Sequence, residues 1–308
     1  MQVIDLHSDA LWRLTTLEDA NFRNDPRLQT NLERLQQGKV KVQVFAIFVH
    51  ENVPQNLKFL EVARQIEAFH TKVLSEPEMV HITDFAQIEK LEENQIGAIL
   101  SLEGSGAIGE DLVKLDAILS AGVLLVGLTW NEENSLAHGA EQDPSLGLKP
   151  FGEQVIEILN AHNIIIDVSH LNEQSFWDVL PRAKHLIASH SNARALCDSP
   201  RNLTDTQAKA LVDKGGHIHV VYYPEFIIEE NRPVILEDLV AHLRYLADLI
   251  GVNALGLGSD FDGIDKTVEG LSNASQTQNL LEAMGKQFTE EEIEAIAYKN
   301  FITYVQTI

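Results

Sequence analysis

Cysteine, positive charge and unbroken apolar sequence are all scarce in this chain. The single cysteine, Cys197, cannot close an internal disulfide, so the fold must rest on its own core, and a reducing cytoplasm is the expected compartment. Basic residues are outnumbered: 23 Lys and Arg stand against 46 Asp and Glu, a net charge of −23. Such a field repels phosphate backbones and anionic lipid surfaces, which sets aside nucleic acid and membrane partners in favour of a small solute. No apolar run approaches the roughly 20 residues that span a bilayer. The chain opens directly on a strand-like segment rather than on the basic and apolar regions of a signal peptide. Linkers, low-complexity tracts and fixed-period repeats are missing too, which favours one domain over residues 1–308.

The 308 residues are 44% apolar, enough to bury a large core. Short β-branched runs alternate with longer segments of helical period. The runs are VIDLH (3–7), VKVQVFAIFV (40–49), IGAILSLE (96–103), VLLVGLTW (123–130), IIIDVSH (164–170), LIASH (186–190), HIHVVYY (217–223) and ALGLGSD (254–260). Between them, 56–70, 110–121, 152–163 and 235–250 place apolar residues at i, i+3, i+4 and i+7, as helices with one buried face do. Gly122 and Gly215 fit C-terminal caps, and Thr289 with Glu292 fits a capping box. Eight strand–helix alternations predict a (β/α)8 TIM barrel of the metal-dependent hydrolase type, with a doubly wound open sheet as the alternative. The weakly periodic stretch 264–288 is expected to be loop and irregular helix.

Barrel strands are covered on both faces, so a polar side chain within one is costly unless paired or used. Here the polar residues gather at strand ends: His7 and Asp9, Glu103, His170, His190 and Asp260. In this architecture the C-terminal strand ends form the active-site face. Three imidazoles and three carboxylates around one mouth call for a metal. Without a thiolate the set suits Zn²⁺, or Mn²⁺, Co²⁺ or Fe²⁺ in its place. Donors outnumber the needs of one catalytic zinc, so two metals bridged by a carboxylate fit better, with Glu103 as the natural bridge. Of the other histidines, His50 also ends a strand but borders the loop HENVPQN (50–56) and is not expected among the site residues. His217 and His219 start theirs, at the stability end, and His70, His81, His162, His185 and His242 are expected in helices or loops. GSGAIG (104–109) lacks the G-x-G-x-x-G spacing and reads as a tight turn.

Taken together, HSD after the first strand, SLEG (101–104), IDVSH (166–170), ASHSNARAL…SPRN (188–202) and GLGSDFDG (256–263) resemble the renal-type, or membrane, dipeptidase family of zinc metallopeptidases within the amidohydrolase superfamily. The resemblance implies two zinc ions, one held by His7, Asp9 and Glu103 and the other by Glu103, His170 and His190. It implies Asp260 as the proton-exchanging aspartate and Arg201 as the clamp on a dipeptide's C-terminal carboxylate, with tolerance of a D-residue there. A homodimer is compatible with it. One departure stands out: Trp130 in LTWN takes the place of a histidine that supports the developing oxyanion, leaving that role to the metals, Asn131 or His138. The rival reactions are hydrolysis of a cyclic amide, a lactone or an N-acyl amino acid at the same metals; a non-catalytic barrel is disfavoured by the presence of Asp260.

Overall fold

In the computed structural model, which describes all 308 residues, the apolar runs lie side by side as parallel strands. They are β1 (Val3–Asp5), β2 (Val40–Phe48), β3 (Met79–His81), β4 (Ile96–Glu103), β5 (Val123–Gly127), β6 (Ile165–Asp167), β7 (Leu186–Ala188), β8 (His217–Val220) and β9 (Leu255–Leu257). β1 pairs with β2 and β9, and β2 pairs with β4 from Val42↔Gly97 to Phe48↔Glu103. The remaining neighbours follow in chain order. Eight strands therefore close on themselves, as the strand–helix alternation predicts, and no sheet edge is left around the barrel.

The ninth strand, β3, pairs with Ile96–Ala98 beside the N-terminal half of β4 and stays outside the ring. At three residues it is too short to register as a period-2 run. It moves His81 from the expected helix or loop into a strand, where its ring packs edge-on against Phe69, centroids 5.0 Å apart. The stretch 264–288, expected as loop and irregular helix, contains a regular helix, Thr277–Met284, which buries Leu280, Leu281 and Met284. Its two turns are shorter than the window in which helical period shows, and Ser, Asn and Gln around it mask the pattern.

Ile4, Leu6, Val42, Val44, Ile99, Leu125, Ile165 and Ile187 fill the barrel interior. Phe301, Tyr304 and Val305 of the C-terminal helix Asn300–Val305 complete that cluster. Tyr304 Oη donates to the carbonyl of Leu186 and Asn300 Nδ2 to that of Leu255, the first residues of β7 and β9. The helix thus plugs the N-terminal end of the barrel. Each fully buried Ile, Leu or Phe there contributes about 1.5–3 kcal/mol, so this end is built for stability and the other end is free for chemistry. Gly122 (φ 89°) and Gly215 (φ 88°) follow their helices in the left-handed region, and Thr289 and Glu292 close their capping box.

Candidate metal centre and active site

The six ligand-type side chains arrive at the mouth from the C-terminal ends of five strands. Glu103 ends β4; His7 lies two residues past β1, His190 two past β7, and His170 and Asp260 three past β6 and β9. The β1 and β9 ends are tied together: Ser259 donates from N and Oγ to Asp5 (2.8 and 2.6 Å), and the amide of Asp260 donates to the carbonyl of His7 (3.1 Å). His170 (φ 68°) and Asp260 (φ 64°) both sit in the left-handed region. That conformation is costly for a residue with a side chain and persists where the surroundings over-determine it, as at functional sites.

Glu103 faces two ways. Its Oε2 lies 3.3 Å from His7 Nε2, which is 3.5 Å from Asp9 Oδ2. Its Oε1 lies 2.8 Å from His170 Nε2 and 3.8 Å from His190 Nε2, and those two nitrogens are 2.9 Å apart. Two donor triads result, His7–Asp9–Glu103 and Glu103–His170–His190, each with its ligand atoms within 4.8 Å of one another. The rings are aimed from behind. His170 Nδ1 bonds Asn131 Oδ1 (2.7 Å), whose Nδ2 donates to Glu141 (3.0 Å). His190 Nδ1 bonds Ser189 Oγ (2.7 Å), whose hydroxyl donates to Asp167. Such outer partners fix the tautomer that leaves Nε2 free to ligate.

Burial sets the charge states. It pushes Asp9 up to about 7, with the charge of Glu103 adding to the effect, and Asp260 well above the carboxylate range. Burial opposes the charge on Glu103 as well, but His7 and His170 outweigh it and hold that carboxyl well below its ordinary value. Burial pushes His170 down to about 3, with Arg201 adding to it, and His190 well below its usual range. His7 Nε2 and Asp9 Oδ1 are buried without a hydrogen-bond partner. His7 differs from His170 and His190: burial pulls it down, but Glu103 and Asp9 outweigh that and hold it well above its usual range. Its proton is the cation among crowded carboxylates; a divalent cation would take that place, so the residues fit a metal.

A cavity of about 540 Å³ opens over this cluster, a size suited to a small ligand. Asp9, Glu103, His170, Asp260 and Arg201 line it. Arg201 is 5% exposed; its guanidinium donates to the carbonyl of His190 (3.3 Å) and lies over the Phe226 ring, while its Nε has no partner. Burial pushes it down to about 10, yet it stays cationic at neutral pH. His50 lines the cavity as well. His138 does not: Nδ1 bonds the carbonyl of Gly147 (2.7 Å) and Nε2 faces Glu133 (3.3 Å), which removes it from the oxyanion role. Asn131 is committed to His170 and Glu141. Trp12, Phe48, Tyr223 and Phe226 also line the cavity and were not singled out as site residues from sequence. Phe48 alone had a usable signal, since it shares the inward parity of Val42 and Val44 at the C-terminal end of β2.

The model of the membrane dipeptidase family, peptidase family M19, matches residues 1–308. The chain belongs to this family. It is therefore a metallo-dipeptidase, a hydrolase acting on peptide bonds. A Klebsiella pneumoniae protein from the pqqA 5′ region is 34% identical over 236 residues, covering 72% of this chain and 86% of that one. A dipeptidase of Schizosaccharomyces pombe is 27% identical over 331 residues, covering 98% and 79%. A Rhodobacter sphaeroides metallopeptidase, solved with a phosphinate mimic of the dipeptide L-Ala-D-Ala, superposes with a TM-score of 0.93 at 24% identity over 99% of both chains, which shows a common fold. No helix here is long and apolar enough to cross a membrane.

Proposed function

We propose that this family member hydrolyses free dipeptides at two Zn²⁺ ions, one on His7, Asp9 and Glu103 and one on Glu103, His170 and His190. The two-faced geometry of Glu103 and the all-N/O donor set support that reading. When bound, the metals supply Lewis-acid polarisation of a carbonyl and a water acidified toward neutral pH. The residues supply the rest. Asp260, whose Oδ1 lies 4.0 Å from His7 Nε2, would be held ionised by the two cations against the burial that raises it, and so takes the proton of the attacking water and returns it to the departing amine. Arg201 grips the C-terminal carboxylate with its planar fork. Ser199, whose Oγ accepts from the amide of Arg201 (3.3 Å), lines the cavity with little bulk beside that end, which favours tolerance of a D-residue.

The observation that carries the exopeptidase reading is Arg201: a buried cation on the cavity wall with an unpartnered donor, facing the ligand cluster. A substrate lacking a carboxylate would leave it unpaired. Amidating a dipeptide's C-terminus should therefore lower kcat/KM by about 30- to 1000-fold, equivalent to about 2–4 kcal/mol, and Arg201→Ala should abolish the difference. Amides cleaved as fast as free dipeptides would shift the assignment to a broader amidohydrolase.

A further inference from the structure

Four of the rings around the cavity form one continuous wall, and it stands on one side only. Trp12 meets Phe48 edge-on with centroids 6.2 Å apart, and Phe48 meets Trp130 at 5.3 Å. Trp130 then meets His50 at 5.6 Å and His170 at 6.0 Å. Phe48 is the register partner of Glu103, so the wall rises directly beside the bridging carboxylate. Trp130 is brought in against Gly104 (φ 73°): a side chain there would be strained and would crowd the Trp130 backbone. The amide of Asn52 donates to His50 Nδ1 (3.2 Å) and pins that ring at the rim.

The wall and Arg201 face each other across the barrel. In the closed order β1-β2-β4-β5-β6-β7-β8-β9, the strand four places from β2 is β7. Phe48 and His50 extend from β2, and Arg201 lies on the loop after β7. A dipeptide clamped by its carboxylate at Arg201, with its peptide bond over Glu103, therefore runs its N-terminal residue to the wall. Resting on the dipeptidase reading, we infer that the wall is a subsite for an aromatic N-terminal side chain, and that the preferred substrates are dipeptides beginning with Phe, Tyr or Trp. Tilted and edge-on rings present both faces and edges, the geometry in which another ring gains most, and a further ring entering the cavity buries apolar surface that water otherwise wets. The position that the oxyanion-supporting histidine occupies in the resemblance is, in this chain, part of the substrate wall.

The test uses the full chain loaded with Zn²⁺ and the dipeptides Ala-Ala, Leu-Ala, Lys-Ala, Phe-Ala and Trp-Ala. Phe-Ala and Trp-Ala should exceed Ala-Ala in kcat/KM by about 10- to 100-fold and should exceed Leu-Ala as well. Trp130→Leu, which keeps apolar bulk and loses the ring, should reduce the Phe-Ala to Ala-Ala ratio at least about fivefold, and Trp130→Phe should restore it. Should Trp130→Leu not fold, His50→Leu at the exposed rim carries the same comparison. Direct binding of Phe-Ala and Ala-Ala to Zn²⁺-loaded Asp260→Asn enzyme, measured by calorimetry, should show the same order. Equal hydrolysis of all five, or a preference for Lys-Ala, overturns the aromatic subsite and leaves the dipeptidase reading intact. Hydrolysis of none overturns that reading and the subsite with it.

Discussion

Asp260 and Asn131 both border the donor cluster, but their replacement should fail in different ways. Asp260 is offered as the proton carrier and belongs to neither donor triad. Asp260→Asn keeps the shape and removes the base, so turnover should drop by roughly 10²–10⁴-fold while metal content, measured by atomic absorption, stays at the wild-type level. A variant that instead loses metal would make Asp260 a ligand. Asn131 acts one step behind, through the 2.7 Å bond to His170 Nδ1. Asn131→Ala leaves that ring free to turn, so metal affinity should fall by about 10–100-fold. A chelator competition would read the loss, and excess metal should restore turnover. Restoration by metal for one variant and not the other separates a positioning role from a proton-transfer role.

At the scale of elements, the barrel depends on places where the end of one strand comes very close to that of another. Gly258, just past β9, leaves no room for a methyl: a Cβ there would overlap the carbonyl oxygen of Ser189. That obstacle is backbone, which cannot swing aside as a side chain can. Gly258→Ala should lower unfolding free energy by about 1–3 kcal/mol, read as a lower urea midpoint with an unchanged slope. The same closeness explains what the sequence could and could not announce. The eight strands and the clustering of His7, Asp9, Glu103, His170, His190 and Asp260 at one mouth were legible because a polar residue ending an apolar run is a local signal. The left-handed conformations of His170 and Asp260, the three-residue β3 and the helix 277–284 were not, because tertiary packing imposes them on segments too short to carry a period. The aromatic wall was hidden for another reason. Trp12, Phe48 and Trp130 come from a helix, the end of a strand and a loop far apart in sequence, so nothing local marks them as one surface until barrel closure brings them together.

For the whole molecule, the two ends of the barrel should answer to pH independently. At the plugged end, His217 stacks on Tyr304 with centroids 4.7 Å apart and has an unpartnered Nδ1, and His219 is buried with neither ring nitrogen bonded. Burial holds His217 down to about 4, against an ordinary value of 6.5, and His219 well below that value. Both are therefore neutral in the folded chain at a pH where the unfolded chain binds protons. Their contribution to stability is complete above about pH 6.5 and is lost as pH falls through the range down to about 4. His217→Phe keeps the stacking on Tyr304 and removes the titration. The loss of unfolding free energy between pH 7 and pH 5 should then be smaller than in the wild type by about 1–2 kcal/mol. Denaturant titrations of both proteins, run in chelator at the two pH values, remove any share owed to acid release of metal at the far end of the barrel. An acid loss unchanged by His217→Phe would mean that this imidazole is already solvated or protonated in the folded chain, and that the acid sensitivity of the molecule belongs to His219 and the ligand cluster.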